Sequence, residues 1–210
     1  MLQQLQVLHN GSRIVELLPP LDYLVVETPN PLITYDPKFS NVFSLPISDI
    51  VKMGVHVRAV PNVGSTEYVG SGDLQFVHFF SLKTFHAQRR PFENVSEEEI
   101  VLRKHESIVA SLCEDFGIPV FSKRSEKNAG CWINTPEGSK RVSSSNIGFM
   151  VWKGSIVGRC VTTLHVKNDE RKKMIKNDDS TTIEQATGIV QDSEMIKERC
   201  IDGLKSVFGY

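Results

Sequence analysis

The segment "SEEEIVLRKHESIVASLCEDFG", Ser96 to Gly117, constrains this chain more than any other stretch. Ser96 and Glu99 form a capping box, and Glu97, Glu98 and Glu99 set negative charge at the positive end of a helix dipole. Val101, His105, Ile108 and Leu112 share one face, and Gly117 and Pro119 end the run. A helix with one apolar stripe has to bury it, and the flanking sequence supplies mostly short strands to receive it. Leu21 to Glu27, Val55 to Val60, Gln75 to Leu82, Ile147 to Trp152 and Cys160 to Val166 are rich in β-branched and aromatic residues and bounded by turn formers. The expected fold is α+β, a mixed central sheet containing those five strands with the helix from Ser96 to Phe116 on one face.

The remaining segments fill in this frame. Leu2, Leu5 and Leu8 recur at helical spacing before Asn10-Gly11, which predicts a short first helix. Pro29 to Ser48 reads as a long loop punctuated by prolines, and "SDIVKMG" (Ser48 to Gly54) as a helical turn. Pro119 to Ser122 and Gly130 to Asn134 are further short strand candidates. Lys167 to Ser180 reads as a solvated connection, and the chain closes on an amphipathic helix carrying Ile196, Cys200, Leu204 and Val207. No internal repeat is present, and residues 1–210 are expected to form a single domain.

Composition narrows the function classes. With 24 Lys and Arg against 25 Asp and Glu, nothing points to nucleic acid or an anionic membrane as partner, and no apolar run reaches spanning length. Cys113, Cys131, Cys160 and Cys200 are far apart, with no Cys-x-x-Cys and no zinc-like Cys/His spacing, so the expectation is four reduced thiols, no metal and no cofactor. The N-terminus "MLQQLQVLHNGSR" has neither a secretory core nor an Arg- and Ser-rich transit character, so the expectation is either a cytoplasmic protein or one whose presequence lies outside this sequence.

The glycine turn in "EYVGSGDLQFVHFFSLK", Glu67 to Lys83, opens directly onto a buried strand. Gly70 and Gly72 permit backbone to approach a ligand closely, although the third glycine of a dinucleotide loop and the Lys-Ser/Thr of a phosphate loop are missing. In order along the chain, "LDYLVVETPNPLIT", this turn and strand, "DFGIPVFSKRSEKNAGCWI", "KRVSSSNIGFMV" and the tail from Thr181 together resemble the lipoyl(octanoyl) transferases, relatives of the lipoate and biotin protein ligases. The resemblance covers nearly the whole length. It implies a biotin/lipoate protein ligase catalytic-domain fold and octanoyl transfer from acyl carrier protein to a lysine of a lipoyl domain. It further implies mitochondrial location in a eukaryote, and a monomer or a member of a larger complex. By the same resemblance, Gly64, Tyr68, Gly70, Ser71, Gly72, Asp73, Ser144 and Gly148 would line the substrate site.

Family chemistry needs a cysteine nucleophile, a nearby lysine and an oxyanion cradle. The lysine position falls on Arg141, with Lys140 adjacent, and the turn carries Val69, Ser71 and Asp73 where the family has histidine, proline and glutamine. The nucleophile's place falls between Val166 and Thr181, which holds no cysteine and has Asn177 as its nearest counterpart. Cys160 is the substitute candidate nucleophile, weighed against the role of a small inert core residue. Lys140 and Arg141 are the candidate cations. A guanidinium cannot shuttle protons, so Arg141 is expected to pair with Asp73 if the site only binds. His78 and His165 read as satisfied sheet histidines without partners near in sequence. The alternative function is therefore a catalytically inactive relative that binds a carrier protein, a lipoyl domain or a larger complex.

Overall fold

A computed structural model describes residues 5–9, 22–59, 66–87, 94–124, 128–152, 154–167, 171–176 and 179–210. Ten strands among them form two sheets. The larger contains β1 (Leu5–His9), β2 (Asp22–Glu27), β6 (Asp73–Ser81), β7 (Phe121–Arg124), β8 (Asn128–Thr135), β9 (Gly138–Trp152) and β10 (Ser155–His165), in the spatial order β1-β2-β6-β10-β9-β8-β7. Within this sheet, among the described residues, only the β1–β2 pairing is parallel. The smaller sheet is β4 (His56–Ala59), β3 (Leu32–Tyr35) and β5 (Thr66–Val69), in the order β4-β3-β5. This mixed sheet with helices packed on it is the predicted α+β class.

Helix α3 (Glu97–Asp115) begins where its cap predicts, with Ser96 Oγ accepting from the Glu99 N–H. It buries Val101, Leu102, Val109 and Leu112 against one face of the large sheet, meeting Leu24, Phe76, Phe80 and Leu164. The C-terminal helix α6 (Ser193–Phe208) lies beside it and inserts Ile196, Cys200 and Leu204 into the same core. Each such aliphatic side chain removed from water contributes about 1.5–3 kcal/mol, which outweighs any local propensity in these segments. α2 (Leu82–Ala87), directly after β6, adds Phe85 to this layer.

Four expectations need correction. Leu5 to His9 is an edge strand rather than a helix, because a parallel ladder to β2 outcompetes three leucines at helical spacing. Leu2 lies outside the described residues. Between Pro29 and Ser48 the chain forms β3, a 3₁₀ turn (Pro37–Val42) and the start of α1 (Ile47–Lys52). The prolines sit at element ends, where no ladder donor is required. The strand at Val55 to Val60 joins the small sheet and not the central one, since its partner is β3. The connection after Val166 is only partly solvated: past the short helix α4 (Arg171–Met174), Met174 and Ile175 are buried with Ile33, Phe43, Ile50 and Tyr68 in a second core. Backbone bonds from Ser44 N to Met174 O and from Lys176 N to Val42 O fasten it there.

A polar thread crosses the first core. Tyr210 Oη donates to Asp22 Oδ2 at 2.8 Å, so it must accept from His78 Nε2, also at 2.8 Å. His78 Nδ1 is then an acceptor for His105 Nε2–H at 3.3 Å, and His105 Nδ1 accepts from the Thr162 hydroxyl at 2.9 Å. Ser145 completes the thread by donating to Thr162 at 2.8 Å. With both imidazoles held neutral by burial, the carboxylate at one end sets the direction of every hydrogen bond.

Candidate functional site

The large sheet's second face, away from α3, is divided in two. Strand alternation puts Val25, Val77 and Val161 on it, in register with one another and packed with Phe79. Two residues further along the same strands come Glu27, Gln75 and Thr163, with the Gln75 amide reaching Thr163 Oγ1 at 3.4 Å. Ser144 of β9 pairs in register with Thr163 and donates to Glu67 of β5, so the small sheet is fastened over this polar end.

Arg141 reaches the same face because β9 carries an extra residue. Cys131 pairs with Ser143 and Trp132 with Arg141, so Val142 is a β-bulge. Val142 turns into the core, Lys140 pairs with buried Ile133 on the helix-covered side, and Arg141 lies with Trp132 on the second face. The bulge therefore places Arg141, and not Lys140, on the second face. Lys140 instead lines a separate cavity of about 190 Å³ with Thr135, Pro136, Glu137, Ser180 and Thr181.

Between the ends of β9 and β10 the chain returns as a narrow strip. Arg141 N–H donates to Asp179 O, Thr181 N–H to Arg141 O, and Glu184 N–H to Val166 O. A reciprocal capping box of Thr182 and Gln185 starts α5 (Ile183–Thr187) and anchors the strip's far end. The expected Arg141–Asp73 pair is not formed. Arg141 instead faces Asp179, with 3.6 Å from guanidinium nitrogen to carboxylate oxygen. Asp73 is engaged by His165, whose Nδ1 is 2.9 Å from Oδ1, and by the Gly70 N–H, 2.8 Å from Oδ2. His165 is thus a buried sheet histidine with a carboxylate on Nδ1, as the reading of a satisfied histidine expects. Its carboxylate lies 92 positions away in the chain, a separation that local patterning does not register.

The glycine turn has a different physical basis from the one its residues suggest. Neither Gly70 nor Gly72 has a positive φ. A Cβ on Gly70 would lie 2.5 Å from the Tyr68 ring, and one on Gly72 would lie 3.1 Å from the Lys167 carbonyl oxygen. Glycine is required because Tyr68 folds over the turn and the exit of β10 presses against it, with Lys167 N–H donating to Gly72 O. Ser71 is exposed at the apex, Gly148 is exposed on β9, and Gly64 and Asn177 lie outside the described residues.

All four cysteines are buried. Cys160 is fully enclosed on the helix-covered side, opposite His78 and Ile147, and burial pushes its thiol far above the ordinary range. Burial likewise raises Cys131 to about 11 and Cys113 and Cys200 to about 12. None presents a thiolate to the second face. Three buried side-chain atoms along the seam between the sheets find no hydrogen-bond partner among the described residues: Arg141 Nε, His165 Nε2 and Thr66 Oγ1. Each unmet group costs about 1–3 kcal/mol, a cost that a bound polar molecule relieves. Among the described residues no cluster of His, Cys, Asp or Glu is arranged to hold a metal, and no helix is long and apolar enough to cross a membrane.

No protein-family model matches the sequence, and no curated protein matches it. Solved structures do. A bipartite lipoate protein ligase from Thermoplasma acidophilum, studied with its E2 lipoyl domain, superposes with a TM-score of 0.63 at 12% identity, covering 100% of this chain and 84% of that one. A lipoate-protein ligase A bound with ATP gives 0.61 at 11% identity, covering 100% and 86%. The biotin protein ligase of Aquifex aeolicus with biotin and ATP gives 0.51 at 16%, covering 99% and 68%. The chain has the fold shared by the lipoate and biotin protein ligases.

Proposed function

We propose that this protein acts in protein lipoylation, moving an octanoyl or closely related acyl group from a carrier thioester to a lipoyl-domain lysine without an acyl-cysteine intermediate. The observation that supports this most is the divided second face. Val25, Val77, Val161 and Phe79 offer an apolar bed, and Arg141, Ser144, Thr163 and His165 a polar end with unmet hydrogen-bonding atoms. A medium-chain acyl group has that same division. Burial of every thiol favours direct transfer over a covalent relay, because the thioester route needs a reachable thiolate. The lipoate protein ligases that share the fold make lipoyl domains the natural acceptor.

The test incubates the protein with octanoyl acyl carrier protein and an apo lipoyl domain and weighs all three by mass spectrometry. The expected result is octanoyl mass on the lipoyl domain and none on the protein. An adduct that disappears in Cys160→Ser would overturn the direct route. A second reading, a binding module, is favoured by the permanent charge of Arg141 and its pairing with Asp179. Binding of the lipoyl domain with no transfer, and no rescue of a strain lacking octanoyltransferase, would establish it.

A further inference from the structure

We propose that His165 and Asp73 form the proton-accepting pair of this site, and that His165 Nε2 is the binding position for the attacking primary amine. The inference rests on the acyl-transfer reading above and adds a group to it. Three observations carry it. His165 is 1% exposed, as is Asp73, so their 2.9 Å contact is sheltered from water. An ionised carboxylate only accepts hydrogen bonds, so whenever the ring is uncharged Nδ1 carries the proton and Nε2 keeps its lone pair. That Nε2 atom is buried and finds no partner among the described residues. An oriented imidazole with an unused lone pair calls for a hydrogen-bond donor, and in this reading the donor is the acceptor's amine.

Location agrees with the chemistry. His165 closes β10 two positions beyond Thr163 and on the same face, at the polar end of the acyl bed and beside the strip that crosses to Arg141. In the step itself the amine nitrogen forms a bond to the acyl carbonyl carbon as Nε2 takes its proton. The carbon–sulfur bond of the donor thioester then breaks with its electron pair, and the imidazolium returns the proton to the departing thiolate. Amide and thiol are the products, and the pair is restored.

Asp73 also makes the pair testable by a conservative change. Oδ2 accepts from the Gly70 N–H, so in Asp73→Asn the amide oxygen stays with Gly70 and the NH₂ group is turned toward His165. Nδ1 must then accept and Nε2 becomes N–H, the wrong tautomer for a base. The experiment measures octanoyl transfer to an apo lipoyl domain by wild type, His165→Ala and Asp73→Asn. It adds ¹⁵N spectra of the imidazoles in wild type and Asp73→Asn, with and without that domain. A general base contributes about 10²–10⁴-fold. We expect His165→Ala to lose at least about a hundredfold and to recover in part with added imidazole, as a merely structural histidine would not. Asp73→Asn should lose transfer while its spectrum shows Nε2 protonated. Transfer by His165→Ala within about twofold of wild type, far inside the range for a base, overturns the proposal. Should wild type move no acyl group, the transfer reading falls by itself and the spectra decide the site. A His165 Nε2 resonance that shifts with the lipoyl domain supports amine binding, and one unmoved at saturation refutes it.

Discussion

Replacing His105 by glutamine isolates the energetic consequence of the buried thread from Ser145 to Asp22. His105 is neutral in the fold because burial holds its pKa down at about 4, against 6.5 for a free imidazole, and His78 is held well below its ordinary value by burial and by His105. The thread also opposes a proton directly. A proton added at His78 Nδ1 would meet the His105 N–H, two donors 3.3 Å apart. Since the folded pKa lies below the unfolded one, the unfolded chain binds more protons between the two values, and stability falls as pH falls through that window. Each tenfold in proton affinity is worth about 1.4 kcal/mol, so the drop from 6.5 to about 4 amounts to roughly 3 kcal/mol for His105. About 2 kcal/mol of that is already lost by pH 5. Glutamine can still donate to His78 but does not titrate. Urea unfolding of both proteins at pH 7, 6, 5 and 4.5 should show wild type losing stability faster, with the gap closing by that amount. Taking the difference cancels other titrating groups, including Glu106, whose raised pKa acts in the opposite direction. A gap constant to within about 0.5 kcal/mol, the scatter expected of independent sites, would refute the neutral-thread reasoning.

Three further outcomes follow from the packing. Gly158→Ala should lose about 1–3 kcal/mol in urea unfolding, because the new methyl would lie 2.2 Å from the buried Phe80 ring. Native protein should resist a thiol-specific reagent at neutral pH and release four reactive thiols only on unfolding, since every cysteine is enclosed and its thiolate disfavoured; a fast single equivalent would contradict the burial of Cys160. Thr182→Ala should cost about 1 kcal/mol by removing the cap of α5, read as a lowered denaturation midpoint, and an unchanged midpoint would mean that the strip is held by Glu184 and Val166 alone.

What the residues reveal by themselves is local and periodic. The α3 cap, its apolar stripe and the strand of Gln75 to Leu82 are legible because each is fixed by neighbours within a few positions. The edge strand Leu5–His9 is not, because its partner β2 supplies what its own pattern lacks. The same holds at the site. Asp73 and His165 meet only when β6 and β10 lie antiparallel in register, so neither names the other in the sequence. The pairing foreseen for Arg141 fails for a related reason: Asp179 is brought to it by a returning strip whose composition suggests only a solvated link.

The Val142 bulge carries a consequence for how this site can change. Without it β9 would run straight, Arg141 would fall opposite Ile133 in the core, and Lys140 would swing to the second face. A slip by one residue would thus put Val142 opposite Trp132, where Arg141 now stands, and set Lys140 two positions further along that face, opposite Asn134. The slip is blocked energetically, since it would enclose a permanent cation among Ile133 and its apolar neighbours, with Asp179 out of reach. The backbone works here as a detent, holding the strand in one of two phases. A lineage seeking a deprotonatable amine at this spot cannot reach it by sliding the strand and has to recode Arg141 to lysine in place.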